Sequence, residues 1–577
     1  MLLTRLLSEL GSASIRDGLG VEADPAVRPA QQPEHGDYQL NGLLALGRSL
    51  RRPPRELAAA VADRLAGHDP FERVEVAGPG FVNLRLRDAW IAERLGDVLA
   101  DRARDGVPAV DRPETIVVDF SSPNVAKQMH VGHLRSTILG DAIVRLLRFL
   151  GHRVLGDNHL GDWGTQFGLL LAGIKRWGSQ VALEGDAVAE LERIYRLASE
   201  AARADEAFAD EARAELARLQ SGDPERRAQW QRFVEQTRRT LERVYDRLGV
   251  RFDLWLGESS YEAMLPGVVE ELLRRGIARE DQGAVCVFVG ELPEAPEALR
   301  GRKEPFIVRK KDGAFLYSTT DIATVLYRRD TLRADRVLYV VDVRQADHFA
   351  QLFATVRAMG VTMRLEHVGF GTILGEDGRP LRTRDGAPVT LEALLDEAVT
   401  RAEARLRQAE GLELDPAAIG EVARAVGIGA VKYADLRQHR LTDYRFEWDK
   451  LLSFKGNAGP YLQYAYARTR SVFRRGAVDP DTLAGPIVLR EPPERALALV
   501  LLRFGDVVHA AADGALPHLV AEHLYEVAVA LSTFYERCRV LHEDAAVRAS
   551  RLALLAVASR QLRRGLELLG ITAIERM

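Results

Sequence analysis

The chain has only two cysteines among its 577 residues, Cys286 and Cys538, and they lie far apart in the sequence. We therefore expect neither a disulfide framework nor a structural zinc site. The chain also lacks any apolar run of about 18 residues, the length that a membrane-spanning helix needs. Its N-terminus is an amphipathic helix pattern with Arg5 and Glu9 inside it, which is unlike a signal peptide. These absences predict a cytoplasmic protein.

The chain has little net charge, −4 at pH 7 with a pI near 6.4. Bulk charge therefore gives no sign of a nucleic-acid partner, and any RNA site must be a local basic patch. A composition of 47% hydrophobic and 28% charged residues is typical of a globular protein. The length predicts about three or four domains.

A phosphate-binding P-loop, GxxxxGK[ST], is absent from the stretch where a nucleotide-binding loop is otherwise predicted. The β-branched run 115–118 predicts a strand. A loop follows, and an amphipathic pattern from Leu134 to Leu150 then predicts a helix. This strand–loop–helix order is typical of a nucleotide-binding α/β unit.

The loop contains His130, Gly132 and His133 at the predicted start of the helix. Free backbone N–H groups and the helix dipole favour phosphate there, and imidazoles can donate hydrogen bonds to phosphate oxygens. Gly132 leaves room for an adenine ring to lie against the backbone. Two alternatives are open: helix-start histidines without a catalytic role, and a metal pair, although no nearby cysteine or carboxylate completes a ligand set.

The longer string SSPNVAKQMHVGHLRSTILGD, residues 121–141, resembles the first ATP-binding motif of class I aminoacyl-tRNA synthetases, in the form found in arginyl-tRNA synthetases. Three further stretches resemble the same family in its order along the chain. They are HGDYQ with GPGFVNLRL near the N-terminus, GDWG at 161–164, and the closing Glu575-Arg576-Met577. The resemblance spans nearly the whole chain.

The predicted fold is multidomain. Residues 1–108 predict an N-terminal α+β domain, with a helix from Pro54 to Ala66 and strands at 71–76 and 81–86. The resemblance implies that this domain meets the outer corner of the tRNA. An ordinary α+β module without RNA contact is the alternative.

Residues 109–387 predict the catalytic domain, a Rossmann-like α/β fold with one split parallel sheet. A charged helical insertion at about 178–300 separates its halves, and it is shorter than we expect for an editing domain. The second half contains a buried strand at 336–342, and another at 367–374 that leads into a Gly-rich loop. Residues 388–577 predict an all-α anticodon-binding domain, which the resemblance also implies; a bundle with an aromatic core is the alternative.

The resemblance implies a two-step ligation of L-arginine to tRNA(Arg). Arginine is first activated with ATP to an adenylate, and then passes to the 2′-OH of the terminal adenosine, which releases AMP and pyrophosphate. We expect Mg²⁺ with ATP, no zinc, and a monomer. His130 and His133 would bind the phosphate and ribose side of ATP, and Gly132 would lie under adenine.

The second class I motif, KMSKS, is altered to Leu381-Arg382-Thr383-Arg384. The resemblance implies that Arg382, Thr383 and Arg384 contribute to ATP binding. Arg384 stands where the second lysine belongs, and Lys127 is the residue that compensates in the family. A solvated loop lysine is the alternative for Lys127.

The resemblance also supplies the candidate arginine-binding residues. Asn124, Gln345 and Ser122 match positions at the α-amino end, whereas Tyr317, Asp321 and Asp119 match positions at the guanidinium end. A carboxylate can accept two parallel hydrogen bonds from a guanidinium. Tyr317 and Asp321 are spaced i, i+4, so a helix would place both on one face. Asp321 could also be a helix N-cap.

Three other functions compete with this one. Another class I synthetase is the nearest, but the cysteinyl enzymes need a zinc-binding cysteine set, and the large editing enzymes are longer. A nucleotidylyltransferase shares the HxGH chemistry but is shorter and has no C-terminal bundle. A non-catalytic paralogue would be expected to lack His130, His133 or Asp321, and all three are present.

Overall fold

The computed structural model describes residues 2–30, 32–178, 187–379, 381, 389–408 and 415–577. The chain divides into two compact units. The first unit comprises Met1–Val110, Arg405–Gly429 and Leu452–Met577, and the second comprises Asp111–Ala404 and Ala430–Leu451. The N-terminal segment and the C-terminal helices thus share a unit. The three domain ranges given above stay a prediction.

The elements are numbered in chain order. The helices are α1 (Leu3–Leu19), α2 (Leu43–Leu50), α3 (Pro54–Leu65), α4 (Asp88–Ala100), α5 (Val131–Phe149), α6 (Thr165–Trp177), α7 (Ala187–Ala204), α8 (Glu206–Gln220), α9 (Pro224–Leu248), α10 (Leu265–Arg274), α11 (Tyr317–Asp330), α12 (Ala346–Ala358), α13 (Leu391–Gln408), α14 (Ile419–Leu436), α15 (Trp448–Leu451), α16 (Gly459–Arg475), α17 (Pro492–Leu502), α18 (Phe504–Asp513), α19 (His518–Arg537) and α20 (Ala545–Leu568). The strands are β1 (Val27–Pro29), β2 (Tyr38–Leu40), β3 (Phe71–Ala77), β4 (Phe81–Leu86), β5 (Thr115–Asp119), β6 (Arg153–Asp157), β7 (Ala278–Asp281), β8 (Ala284–Val287), β9 (Phe306–Arg309), β10 (Arg336–Tyr339), β11 (Arg364–His367), β12 (Ile373–Leu374) and β13 (Tyr444–Arg445).

The second unit is built on a four-stranded sheet with the order β11-β10-β5-β6, in which every pairing is parallel. Two of these strands precede the insertion and two follow it, so the predicted split parallel sheet is confirmed. The interior of β5, Ile116 to Val118, is fully buried. Such apolar runs form strands that are covered by helices on both faces. Ligands bind at the carboxyl ends of the strands in sheets of this kind.

Helices of the second unit pack their apolar stripes on the sheet. One buried cluster joins Val117 and Val337 of the sheet to Leu272 of α10, Ile322 of α11 and Leu352 of α12. The predicted helical insertion is present in α7, α8 and α9, and it is followed by a separate antiparallel sheet, β7-β8-β9. This packing places α11 and α12 side by side against the parallel sheet.

Two predictions about regular structure are wrong. The strand predicted at 367–374 ends at His367, and a second short strand, β12, begins at Ile373. The chain leaves the sheet between them because Gly371 N donates to Arg440 O at 3.0 Å, and a side chain at Gly371 would meet Asp443. The region after 388 is not wholly helical either, because β13 pairs with β12 in parallel.

The first unit contains an antiparallel sheet with the order β1-β2-β4-β3, covered by helices that include α1 and α3. Asp37 of the HGDYQ stretch accepts two hydrogen bonds at 2.8 Å from Arg495 of α17. Asp105 pairs with Arg560 and Arg564 of α20 at 3.1 Å. Asp37 therefore contributes to packing inside this unit. The predicted RNA contact of the N-terminal segment stays a prediction.

Cys286 and Cys538 are both buried free thiols. None of the helices in the described ranges is long and apolar enough to span a bilayer.

Candidate active site

The HVGH tetrapeptide forms the start of α5. His130 is the N-cap residue, and its Nδ1 accepts a hydrogen bond from Gly132 N at 3.0 Å. Nδ1 of His133 accepts from His130 N at 3.2 Å, and the two rings lie 4.1 Å apart. Because both Nδ1 atoms are acceptors, each neutral ring carries its proton on Nε2. The two Nε2–H groups are thus hydrogen-bond donors at a helix N-terminus, where anions bind.

The surroundings of both histidines favour the neutral imidazole. Burial lowers the pKa of His130, and burial together with the neighbouring His130 lowers the pKa of His133 to about 4. They therefore stabilise phosphate through directed hydrogen bonds. A Cβ at Gly132 would lie 2.7 Å from Cε1 of His130, so the glycine is needed for the imidazole to cap the helix. The predicted adenine contact of Gly132 remains a prediction.

Lys127 lies in the loop just before these histidines. Its ammonium nitrogen is 5.2 Å from the ring centroid of Tyr195 in α7. Its positive charge adds to the effect of burial in lowering the pKa of both His130 and His133. Lys127 is therefore close enough to the two imidazoles to influence them electrostatically. Its catalytic role remains a prediction.

The predicted ATP-binding residues Arg382, Thr383 and Arg384 lie outside the described residues. The chain just beyond them pairs with the start of α5. Val131 N donates to Val389 O at 3.0 Å, and Leu391 N donates to Met129 O at 2.9 Å. Val389, the first described residue after this gap, thus lies beside the start of α5.

The loop between β5 and α5 is held in an unusual backbone conformation. Ser121, Ser122 and Ala126 have positive φ angles of 70°, 46° and 64°. Each such residue costs on the order of 1–3 kcal/mol, so the surroundings must hold the loop in place. Ser136 Oγ accepts from Ser121 N at 2.8 Å, and Asn158 Oδ1 accepts from Ser122 N at 3.1 Å. Strained loops of this kind are concentrated at functional sites.

Asn124 is exposed at the tip of this loop and lies against the GDWG stretch. Val125 N donates to Gly161 O at 3.0 Å, and Gly161 N donates to Pro123 O at 3.2 Å. A Cβ at Gly161 would lie 2.1 Å from Oδ1 of Asn124. The absence of a side chain at Gly161 therefore leaves the space that the Asn124 side chain occupies. This steric requirement is separate from any need for glycine in a turn.

Asp321 and Tyr317 lie in the first two turns of α11, on one face as predicted. The N-cap of this helix is Leu316, so the alternative role of Asp321 as an N-cap is wrong. Oδ2 of Asp321 is 2.6 Å from Nε2 of His348 in α12. The exposed ring of Tyr317 lies 5.0 Å from the His348 ring. Gln345 is exposed at the start of α12, one turn before His348.

His348 and Glu258 were not predicted as site residues from the sequence. Burial raises the pKa of Glu258 to about 7, with further contributions from the charges of Asp321 and Asp162, although His159 opposes the rise. Glu258 thus belongs to the same acidic region as Asp321. The position of His348 three residues after Gln345, at the start of a helix, was the available signal for one of the two. Glu258 lies in the insertion and gave no signal.

Asp119 is buried and its carboxylate already has partners in the chain. Oδ2 accepts from Nη2 of Arg328 at 2.7 Å, and Oδ1 accepts from Ser122 Oγ at 2.9 Å. Asp119 thus has an internal guanidinium partner, Arg328, and its predicted share in binding the guanidinium of the substrate remains a prediction. Ser122 is placed in the loop through this bond, as well as through Asn158.

A parallel sheet split by an insertion, with an imidazole-capped helix after its first strand, defines the nucleotide-binding domain of a class I aminoacyl-tRNA synthetase. Comparison with protein families gives three matches. Residues 94–448 match the class I tRNA synthetase (R) catalytic domain, residues 462–577 match the DALR anticodon-binding domain, and residues 2–86 match the arginyl-tRNA synthetase N-terminal domain.

Curated relatives include the arginine–tRNA ligase of Edwardsiella ictaluri, which is 46% identical over 98% of each chain, and that of Haemophilus ducreyi, which is 45% identical over 97% of this chain and 99% of its own. The solved arginyl-tRNA synthetase of Thermus thermophilus superposes with a TM-score of 0.84 at 28% identity, over all of both chains. The chain belongs to the arginine–tRNA ligase family. Its reaction is the two-step, ATP-dependent ligation of arginine to tRNA.

Proposed function

We propose that the cleft at the carboxyl edge of the parallel sheet performs both steps, with one end built for arginine and the other for ATP. The observation that carries this proposal is the Asp321–His348 pair beside Tyr317, in the same compact unit as the neutral donors His130 and His133. The arginine carboxylate attacks the α-phosphorus, a new O–P bond forms, and the bond to pyrophosphate breaks.

The guanidinium of arginine binds to Asp321, which His348 orients, and Tyr317 contacts the same end. A planar guanidinium can donate two parallel hydrogen bonds to one carboxylate. Glu258, whose pKa burial raises to about 7, is partly protonated near neutral pH, and a cationic side chain bound nearby favours its ionised form. Ser122, Asn124 and Gln345 bind the α-amino end with neutral acceptors. Asp119 contributes to arginine binding through its hydrogen bonds with Ser122 and Arg328, which hold these two side chains in place.

His130 and His133 donate from Nε2 to the phosphates of ATP as negative charge develops there. Lys127 neutralises the leaving pyrophosphate in place of the missing KMSKS lysine, and Arg382, Thr383 and Arg384 contribute from the following loop. This role of Lys127 is supported by the electrostatic effect of its charge on the pKa of both histidines. ATP enters as its magnesium complex, with Mg²⁺ held largely by phosphates and water.

The specific partner is tRNA(Arg), and a groove on the C-terminal helices supports RNA binding. The groove has a volume of about 300 Å³ and is lined by Tyr464, Arg468, Arg475, Tyr535 and Arg539, among others. The guanidinium carbon of Arg468 is 4.6 Å from the Tyr535 ring centroid. Aromatic rings beside arginines bind unpaired bases by stacking, so we assign the anticodon to this groove.

One chain is sufficient for the reaction in this proposal, because the described residues assigned to arginine and ATP all come from one compact unit of a single chain. Equal specific activity above and below the concentration at which any dimer forms would agree with this. Activity that vanished on dilution to monomer would contradict it.

ATP–pyrophosphate exchange with each of the twenty amino acids, with and without tRNA, tests the function. Among the twenty amino acids, we expect only arginine to support exchange. We expect arginine to be attached only to tRNA(Arg). Tyr464→Ala should raise the KM for tRNA and leave the arginine KM unchanged, whereas Arg329→Ala, at an exposed ion pair on α11, should change neither. Exchange with another amino acid, or arginine-independent ATP turnover, would contradict the proposal.

A further inference from the structure

Arg328 is fully buried near the end of α11. Its Nη2 donates to Oδ2 of Asp119 and to Oδ2 of Asp157, both at 2.7 Å. These two aspartates are the last residues of β5 and β6 and are register partners in the sheet. The guanidinium carbon lies 5.2 Å from the ring centroid of Tyr339, the last residue of β10 and the register partner of Asp119. A guanidinium thus occupies the carboxyl edge of the sheet.

The surroundings of this guanidinium form a cation site. Asp119, Asp157 and His159 each place one ligand-type atom within 4.8 Å of the others. Two buried carboxylates this close repel each other without a cation between them. Burial raises the pKa of Asp157, and the positive charge of Arg328 opposes that rise. The chain itself therefore supplies the cation for this site.

The bonds of Arg328 connect the two ends of the arginine site. On one side, Asp119 accepts from Ser122 Oγ at 2.9 Å and so holds the loop that also carries Asn124. On the other side, Arg328 lies seven residues after Asp321 in α11, a spacing that places both on one helix face. The helix α11, which carries the proposed guanidinium-binding residue Asp321, is thereby connected to the loop that carries Ser122 and Asn124, the proposed binding residues for the α-amino group.

We propose that Arg328 is a positioning residue for arginine, because it fixes the distance between the amino-end subsite and the guanidinium-end subsite. The inference rests on the proposed function, which assigns those two subsites. A buried ion pair of this kind is weak evidence for stability, because its desolvation offsets its attraction. Its geometry, in contrast, allows one spacing between α11 and the loop. An amino acid whose side chain is longer or shorter than that of arginine then cannot bind both subsites at once.

Arg328→Lys and Arg328→Ala test the inference in the full-length enzyme. Lysine keeps the charge and loses the guanidinium group whose Nη2 donates to both carboxylates. We expect Arg328→Lys to raise the KM for arginine by about tenfold, to leave the KM for ATP unchanged, and to narrow the preference for arginine over homoarginine. Arg329→Ala, the neighbouring exposed arginine, is the matched control and should behave as the parent.

Chemical rescue separates positioning from general damage. Low-millimolar guanidinium should lower the arginine KM of Arg328→Ala, since the ion can occupy the vacated site between Asp119 and Asp157, and should not lower it in the parent. If Arg328→Ala does not fold, Arg328→Lys decides alone. An unchanged arginine KM in a folded Arg328→Lys, or a loss in kcat with unchanged KM and selectivity, would overturn the inference.

Asp321→Asn, measured in parallel, distinguishes a failure of the proposed arginine site from a failure of the inference about Arg328. If Asp321→Asn leaves arginine binding and selectivity intact, the proposed arginine site is wrong. If Asp321→Asn weakens arginine binding and Arg328→Lys does not, the site stands and only the role of Arg328 is wrong.

Discussion

Nε2 of His348 lies 2.6 Å from Oδ2 of Asp321, across the interface between α11 and α12. Among the described residues this contact occupies one acceptor site on Oδ2, so Oδ1 and the second acceptor site of Oδ2 can both accept from an incoming guanidinium. A hydrogen bond to a charged group contributes on the order of 1.5–3 kcal/mol. In the proposed site, this hydrogen bond orients the carboxylate that would bind the planar end of arginine.

His348→Ala should raise the KM for arginine by about tenfold and leave the KM for ATP unchanged, because only the orientation of Asp321 is lost. His348→Gln retains an N–H donor and should recover part of the loss. Steady-state pyrophosphate exchange measures both constants. Equal arginine KM values for the parent and His348→Ala would show that Asp321 needs no such support.

Gly161→Ala should weaken arginine binding without unfolding the protein. The new Cβ would lie 2.1 Å from Oδ1 of Asn124, the flexible end of a side chain, so the asparagine moves and the backbone stays. Gly96→Ala is the matched control, because a Cβ there meets no atom within 4 Å. Arginine binding by calorimetry and the thermal midpoint measure the two effects. A Gly161→Ala protein that binds arginine normally would remove Asn124 from the site.

Lys127→Ala should lower the rate of arginine activation about a hundredfold, which corresponds to about 3 kcal/mol of transition-state stabilisation. Arginine binding should change much less, because the charge acts on the leaving pyrophosphate. Lys127→Arg keeps the charge and should retain more activity than the alanine variant. Single-turnover adenylate formation gives the rate directly, and a near-normal rate for Lys127→Ala would refute the compensation.

The buried imidazole of His523 should make the free energy of unfolding depend on pH. It is buried in α19 with no hydrogen-bond partner for either ring nitrogen among the described residues, and burial lowers its pKa to about 3. The unfolded chain therefore binds the proton more readily, and stability falls as the pH drops below about 6.5. His523→Leu should remove this loss and stabilise the enzyme by about 2 kcal/mol more at pH 5 than at pH 7.

Urea unfolding of the parent and His523→Leu at both pH values measures the difference. An identical pH dependence in the two proteins would show that the imidazole is protonated, or hydrated, in the folded state.

Local patterns predicted the parts of the fold and site that depend on neighbouring residues. The burial of Ile116 to Val118 and the start of α5 at His130 follow from residues within one strand or one helix turn. The strand predicted at 367–374 failed because its interruption depends on Arg440 and Asp443, which lie about seventy residues further on. Periodicity within the strand contains no sign of them.

The missed parts of the site are non-local for the same reason. Arg328 and Asp119 are separated by 209 positions, so the internal ion pair could not be predicted from either segment alone. Asp321 and His348 lie on different helices, and their contact depends on how α11 and α12 pack on the sheet. The family resemblance supplied Asp119 as a guanidinium ligand, which remains a prediction, and only the folded structure shows that Arg328 is its internal guanidinium partner.

Discrimination between arginine and citrulline by Asp321→Asn tests the central claim most directly. Citrulline matches arginine in shape and lacks its charge, so in the parent it would leave a carboxylate uncompensated; polar discrimination of this kind can reach about 10⁴-fold without editing. The account predicts that Asp321→Asn raises the KM for arginine steeply, narrows the arginine-to-citrulline ratio of kcat/KM, and leaves the KM for ATP near normal. A variant that still selects arginine over citrulline as strongly as the parent would contradict it.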